Sequence, residues 1–379
     1  MSFSCPTTSD VVGQENEKWT IFDRMRVGLA VSANKWTGAA AVAERYCQAL
    51  HETGVDARLL FVGGRNLERR LAGRPWAMPE LVKERSFGHL RSNLRAVGAL
   101  AEASEIIIPF LPHDHLLCVA AGIHRRIPLV RAFRNPRHLR RDPYHRILDH
   151  RLSGALLAHS VVEGTLPPAV SRLPTASLPV PVDDRYQAAD GSGWRQRLGI
   201  PPGFPVIGAV GKLAKGRGFE LLLETASRIE GPTQVIIVGH GELQRQLQVR
   251  TVRLGLEGRI HWAGYQDEAL PEIYSAMDII LFTAPGSDWG HRSISEAQGC
   301  GRPVVAASHQ GVADLIEDGV DGRIVDRNPD ALAKVVSSLI HDPEATARLG
   351  RAAAHAVVER RLAPVGDRLA RFLGGFLAR

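Results

Sequence analysis

The amino-acid sequence predicts an α/β protein made of two Rossmann-like parallel-sheet domains. Short apolar runs, the mark of strands buried on both faces, alternate with segments of helical apolar spacing. The alternation begins at Met25, lapses, and resumes at Pro205. A proline-punctuated joint, Leu178-Pro-Val-Pro-Val-Asp183, lies between the two series. Alternating strand and helix means a parallel sheet covered on both faces. A chain of 379 residues can hold two such domains with sizeable cores.

Residues 1–24 read as a polar N-terminal extension rich in Ser, Thr, Asp, Glu and Asn, and Met25 stands beside Met1 as a second candidate start. The first domain, 25–180, opens with the strand Arg26 to Val31, a turn from Ser32 to Gly38, and a helix of small and apolar residues from Ala39 to Leu50. Asp56 to Val62, Glu105 to Pro109 and Ile127 to Phe133 are its later strands. Pro112-His113-Asp114-His115 follows the third of these four strands, where Asp114 can cap the next helix. The second domain, 181–360, starts its sheet with Pro205 to Val210. A turn from Gly211 to Gly218 follows, then a helix from Phe219 to Arg228. Val235 to Val238 leads into Gly239-His-Gly241-Glu242 and a helix, and Arg259 to Gly264 leads into Tyr265. Asp278 to Thr283 is followed by a loop holding Asp288 and a helix holding Glu296, about two turns in. Gly301-Arg302-Pro303 then enters another apolar strand. Residues 361–379 are expected to form a helix that packs back on the first domain.

Composition excludes several classes. Apolar content of 44% and charged content of 23% are those of a soluble globular protein. The four cysteines, Cys5, Cys47, Cys118 and Cys300, form no Cys-x-x-C pair and no close Cys/His set. That argues against a zinc or disulfide framework and for a reducing, cytoplasmic setting. No apolar run approaches the length of a membrane span, and the N-terminus lacks a basic start followed by an apolar signal core.

Two turns carry chemistry. Glycines between Gly211 and Gly218 let backbone approach a ligand, and Lys212 and Arg217 supply charge for phosphate. The alternative is a solvated basic turn. Asp288 and Glu296 have seven residues between them on either side of a strand-to-helix junction, where loop N–H groups form an anion site. Glu296, set into the helix, suits the hydroxyls of a diol better than a phosphate. The alternative is two solvated acids. The lone Gly-x-Gly at Gly239 is weak evidence by itself.

With these elements in order over about 100 residues, the chain resembles the retaining GT-B glycosyltransferases of group 1, the GT4-like family. The resemblance runs from Met25 to the C-terminus and is sharpest from Gly211 to Gly311. It implies the GT-B fold, two Rossmann-like domains facing an interdomain cleft. It gives Asp288 the donor sugar and Glu296 the nucleotide ribose. The family's first acid is usually Glu, and Asp is one methylene shorter. An Arg and a Lys five positions apart hold the diphosphate in the family; Lys212 and Arg217 keep both charges with the residue types exchanged. Gly211, Gly239, Gly38 and the backbone around Gly290, His291, Arg292 and Ser293 join the donor site, and the nucleobase is read near Tyr265. His113 would meet the donor sugar, and Arg134 and His115 would face the acceptor. The donor would be a UDP- or GDP-sugar, with no metal and no further cofactor.

The first domain would then take the acceptor. Eight arginines between Arg125 and Arg146 face one acid, Asp142, and a second basic tract runs from Arg65 to Arg95. The formal net charge is +7. Such a surface attracts anionic glycans or the inner leaflet of a membrane, or is a set of solvated arginine-rich helix faces. No nucleic-acid motif accompanies the charge. Three other readings stay open: a GT-B enzyme of another reaction (a nucleotide-sugar epimerase or a sugar phosphorylase), a non-catalytic nucleotide-sugar-binding protein, or a nicotinamide-binding Rossmann enzyme. The last has only Gly38 where Gly-x-Gly-x-x-Gly is expected.

Overall fold

The computed structural model describes residues 25–33, 37–64, 66–83, 87–133, 143–157, 166–285 and 288–378. The extension 1–24 and Arg134 lie outside them. The chain divides into two compact units, Met1–Pro181 with Leu362–Arg379, and Val182–Arg361.

Unit 1 holds β1 (Arg26–Val31), α1 (Gly38–Glu52), β2 (Asp56–Val62), α2 (Asn66–Leu71), β3 (Ala77–Leu81), α3 (Phe87–Glu102), β4 (Ile106–Pro109), α4 (Pro112–Ala120), β5 (Val130–Phe133), α5 (Pro143–Asp149), β6 (Gly154–Leu157) and β7 (Thr175–Ser177). Its strands are parallel, in the order β3-β2-β1-β4 and then β5-β6-β7, with an Ile107–Leu129 bridge between the two sets. Leu29 of β1 lies between Leu59 and Ile108 in register. β5 starts later than the apolar run beginning at Ile127, because Pro128 has no N–H for the ladder.

Unit 2 holds α6 (Ser192–Arg197), β8 (Val206–Val210), α7 (Phe219–Arg228), β9 (Gln234–Val238), α8 (Gln244–Arg253), β10 (Ile260–Gly264), α9 (Leu270–Ser275), β11 (Ile279–Phe282), α10 (Asp288–Gly299), β12 (Val304–Ala307), β13 (Gly322–Val325), α11 (Pro329–Ile340) and α12 (Pro343–Ala356). Its six-stranded parallel sheet runs β10-β9-β8-β11-β12-β13. The continuous apolar runs follow from a core on each face. Ile236 and Val238 of β9 enter one core, and Val235 and Ile237 enter the other. Strand order reverses between β8 and β11, the place where doubly wound sheets bind ligands beyond the strands' carboxyl ends.

The last helix, α13 (Leu362–Gly374), belongs to unit 1. It buries Leu362, Val365, Leu369 and Leu373 at helical spacing. It approaches α1 so closely that a Cβ on Gly366 would lie 2.1 Å from the Ala49 carbonyl oxygen. At the entry and exit of unit 2, the Val182 N–H donates to the Arg360 carbonyl at 2.8 Å. Arg361 donates to the carbonyls of Asp183 and Tyr186 at 2.9 and 2.8 Å. No helix among the described residues is long and apolar enough to cross a membrane.

Candidate functional site

The ends of β8, β9, β10 and β11 are drawn together by backbone contacts. Gly239 has φ +138°, and a Cβ there would lie 1.8 Å from the Gly211 carbonyl oxygen. The Gly211 N–H donates to Val238 at 2.9 Å, and the Gly239 N–H donates to Gly264 at 2.8 Å. Gly218, with φ +79°, leaves no room for a Cβ, which would lie 2.0 Å from the Thr283 carbonyl oxygen. The Thr283 hydroxyl donates back to the Gly218 carbonyl at 2.8 Å. Only glycine fits such approaches.

Gly218 is also the N-cap of α7 and supplies no capping side chain. The first N–H groups of that helix are therefore unclaimed by a cap. Lys212 is exposed over 64% of its side chain and stands 3.7 Å from Glu242, while Arg217 is half-buried in the same turn. An uncapped helix N-terminus in a turn that carries two cations has the chemistry to receive an anion. Tyr265, 56% exposed, sits just beyond β10 with its ring edge-on to His240 at 5.4 Å.

The acid pair lies on the other side of the reversal. Asp288 is the first residue of α10, not a loop residue, and its side chain is outside the described set. That start changes the expected anion contacts around 290–293. Only the first N–H groups of a helix lack an internal acceptor, so those of Arg292 and Ser293 fall to the helix itself. His291 is buried against Phe282, with ring centroids 5.7 Å apart, and Ser293 is buried. Glu296, 2% exposed, lies two turns in. Its Oε1 is 2.9 Å from Arg292 Nε, and its Oε2 accepts from the Tyr274 hydroxyl at 3.0 Å. Tyr274 packs edge-on to Tyr186 at 6.2 Å. Arg185 then donates to the Tyr186 hydroxyl and to Asp267, each at 3.0 Å. Sequence reasoning missed this chain of contacts. An aromatic in an apolar stretch reads as core, and the Tyr274–Glu296 contact spans 22 residues.

Unit 1 places its predicted residues differently. Gly38 is the first residue of α1, capped by Thr37, whose Oγ1 accepts from the Ala40 N–H at 3.3 Å. Asp114 is not the N-cap of α4, which is Leu111, but lies in the first turn and accepts from the Leu111 N–H at 2.8 Å. It also accepts from the Ser32 N–H at 2.7 Å, tying the turn after β1 to that after β4. Burial, working against these hydrogen bonds, pushes its carboxyl up to about 6. His113 is half-buried in the first turn of α4. His115 corrects the sequence reading, for it is a core residue with 0% exposure. The helical phase of α4 turns it inward with Asp114, Leu117 and Cys118. Its Nδ1 lies 3.5 Å from Arg131, which pairs with Asp149 at 3.1 Å. Burial first, then the Arg131 charge, lowers its pKa to about 3. A ring enclosed in this way does not present itself to an acceptor.

Comparison with known proteins locates this architecture. Residues 192–356 match the family profile described as "Glycosyl transferases group 1". The match lies wholly within unit 2 and covers less than half of the chain. The lipopolysaccharide core biosynthesis glycosyltransferase LpsE of Rhizobium meliloti is 28% identical over 156 residues, 41% of this chain and 45% of that protein. The D-inositol 3-phosphate glycosyltransferase of Xylanimonas cellulosilytica is 31% identical over 199 residues, 50% of this chain and 45% of that protein. The chain thus spans less than half the length of these curated relatives. Among solved structures, Anabaena HepE in complex with UDP and glucose superimposes with a TM-score of 0.79 at 21% identity, covering 93% of this chain and all of that one. Sucrose-phosphate synthase of Thermosynechococcus elongatus gives 0.72 at 15% identity, over 94% of this chain. The fold is GT-B.

Proposed function

We propose that this GT-B chain, which matches the group 1 glycosyl transferase profile at residues 192–356, moves a sugar from a nucleoside diphosphate donor to an acceptor. The acceptor is a glycan, a lipid-linked sugar or a small molecule. One observation carries the reading. The glycine-locked turn bearing Lys212 and Arg217 and the helix bearing Glu296 follow β8 and β11, the two strands that flank the reversal of one sheet.

In this reading Lys212, Arg217 and the N-terminus of α7 receive the diphosphate. Charge builds on its oxygens as the bond to the sugar breaks, so these contacts strengthen towards the transition state. A fixed pair of cations takes the role a divalent metal plays elsewhere, and the transfer proceeds without one. Glu296 accepts from the ribose diol, and Asp288 at the helix start takes the donor sugar. No side chain acts as nucleophile. The acceptor enters on the face the diphosphate leaves, so configuration is retained. His113 and Gly38, in the first turns of α4 and α1, are assigned to the donor by the family resemblance. The basic tracts of unit 1 draw an anionic acceptor or the inner face of the plasma membrane, and the protein works in the cytoplasm. The UDP and glucose named with HepE make UDP-glucose the first donor to try, with GDP-sugars the second.

The test is incubation with a panel of nucleotide sugars, following nucleoside diphosphate release, alongside calorimetric binding of UDP and GDP. Glu296→Gln should weaken diphosphate-nucleoside binding. Asp288→Asn should leave that binding intact and depress transfer. A parent protein that binds neither UDP nor GDP sinks the proposal.

A further inference from the structure

We propose that Tyr274 is a positioning residue for the ribose-binding carboxylate. Its hydroxyl, 3.0 Å from Glu296 Oε2, fixes the rotation of that carboxylate so that its remaining acceptor positions serve a vicinal diol. The proposal rests on the reading of Glu296 as the ribose ligand.

Tyr274 is fully buried on α9, in a core shared with Ile280, Phe282, Ile294 and Ala297. For packing alone a phenylalanine would serve. A hydroxyl enclosed among such residues persists only against a partner, and the bond shown for it runs to Glu296. Burial first, and then the charge of Glu296, lift the phenol well above its ordinary pKa, so it stays a donor. The ring itself is held, because Tyr186 packs on its edge at 6.2 Å. Tyr186 is in turn fixed through its hydroxyl by Arg185 and through its carbonyl by Arg361.

The other oxygen of Glu296 is anchored separately, 2.9 Å from Arg292 Nε one turn earlier on the helix. A carboxylate offers about four lone-pair positions. The Tyr274 bond takes one of them; Oε1 is paired with Arg292 but is buried and accepts no hydrogen bond among the described residues, so acceptor positions remain for two neighbouring hydroxyls. The terminal torsion of a glutamate is broad. Without the Tyr274 hydroxyl the carboxylate is free to turn both oxygens onto the Arg292 guanidinium, the bidentate arrangement such pairs favour. The diol would then lose its acceptors although the charge of Glu296 remained.

The measurement is the ratio of affinities for a ribonucleotide and its diol-free counterpart. UDP and GDP, each with its 2′,3′-dideoxy analogue, are titrated against the parent, Tyr274→Phe, Glu296→Gln and the double variant. The change at 274 removes one oxygen and keeps the ring, and each titration is run below the variant's own melting temperature. The parent should favour the ribonucleotide by at least about tenfold, from two charge-assisted contacts. Tyr274→Phe should reduce that preference to about two- to threefold by withdrawing the aligned acceptors, with affinity for the dideoxy analogue unchanged. In the Glu296→Gln background the change at 274 should do nothing further to the ratio. A tyrosine that only supports the fold would weaken both ligands alike. A parental ratio in folded Tyr274→Phe overturns the proposal and leaves Glu296 as the ribose ligand. A parent that binds both forms equally overturns the reading of Glu296 and this proposal with it.

Discussion

In unit 2 the turns after β8, β9 and β11 are locked by backbone against backbone, with Gly239 against Gly211 and Gly218 against Thr283. In unit 1 the turns after β1 and β4 are tied by a single buried side chain, with Asp114 accepting from Ser32 and Leu111. A glycine lock contains no titrating group and leaves N–H donors and a helix terminus free for an anion. An aspartate lock contains a titrating group and makes the local structure answer to pH. The family profile covers residues 192–356, all in the glycine-locked unit.

The contrast breaks most severely at Gly239. Alanine there meets the Gly211 carbonyl at 1.8 Å with φ +138°, and the expected loss is more than about 3 kcal/mol, or failure to fold. Gly64→Ala in unit 1 is the control. Its φ is +73° with no atom within 4 Å of the new Cβ, so only the backbone conformation costs, roughly 1–2 kcal/mol. Urea unfolding of the two variants measures the difference, and equal losses would remove the steric argument.

Next come the cations that the glycine lock presents. Lys212→Ala and Arg217→Ala should each weaken UDP or GDP binding by about 1.5–3 kcal/mol. Stability should stay within about 0.5 kcal/mol, since both lie on a surface turn. Unchanged affinity in calorimetry would exclude that residue from the phosphate site.

Asp114 gives a comparable effect of different form. Its carboxyl titrates at about 6 in the folded protein against an ordinary 3.8. The folded state therefore binds the proton more tightly than the unfolded one. The stability this group contributes is greatest below pH 3.8 and falls as pH rises to 6. The span is on the order of 3 kcal/mol. Asp114→Asn cannot titrate. The stability difference between parent and variant, from urea curves between pH 4 and 7.5, should shift across that window, and a constant difference would refute the assignment. The smallest effect belongs to Glu242→Gln. Its ion pair with Lys212 is exposed on both sides, so stability should move by less than about 1 kcal/mol and the shift should vanish in high salt.

The strands with two buried faces were legible as unbroken apolar runs, as at Val235 to Val238. Ala77–Leu81 and Thr175–Ser177 were not, because a strand carrying a proline and a glutamate, or one only three residues long, leaves no such run. At the site, the spacing from Asp288 to Glu296 was visible as sequence, and so were the glycines that the turns require. What stayed hidden depended on phase and on distant partners. The turn of α4 decides that His115 points inward, and nothing near Glu296 in sequence announces Tyr274. The expected loop at Asp288 became a helix start, a boundary that side-chain periodicity does not fix to a residue.

Unit 1 is completed only by α13, which returns after all of unit 2. Unit 2 is thus an insertion, and its first and last residues meet as the Val182–Arg361 bridge. On the ribosome, the apolar side of α1 waits for a helix that is made only after every residue of unit 2 has been synthesised. Domains fold as units during synthesis. A chain cut just before Leu362 would carry an intact second unit beside a first one left without the helix that covers α1.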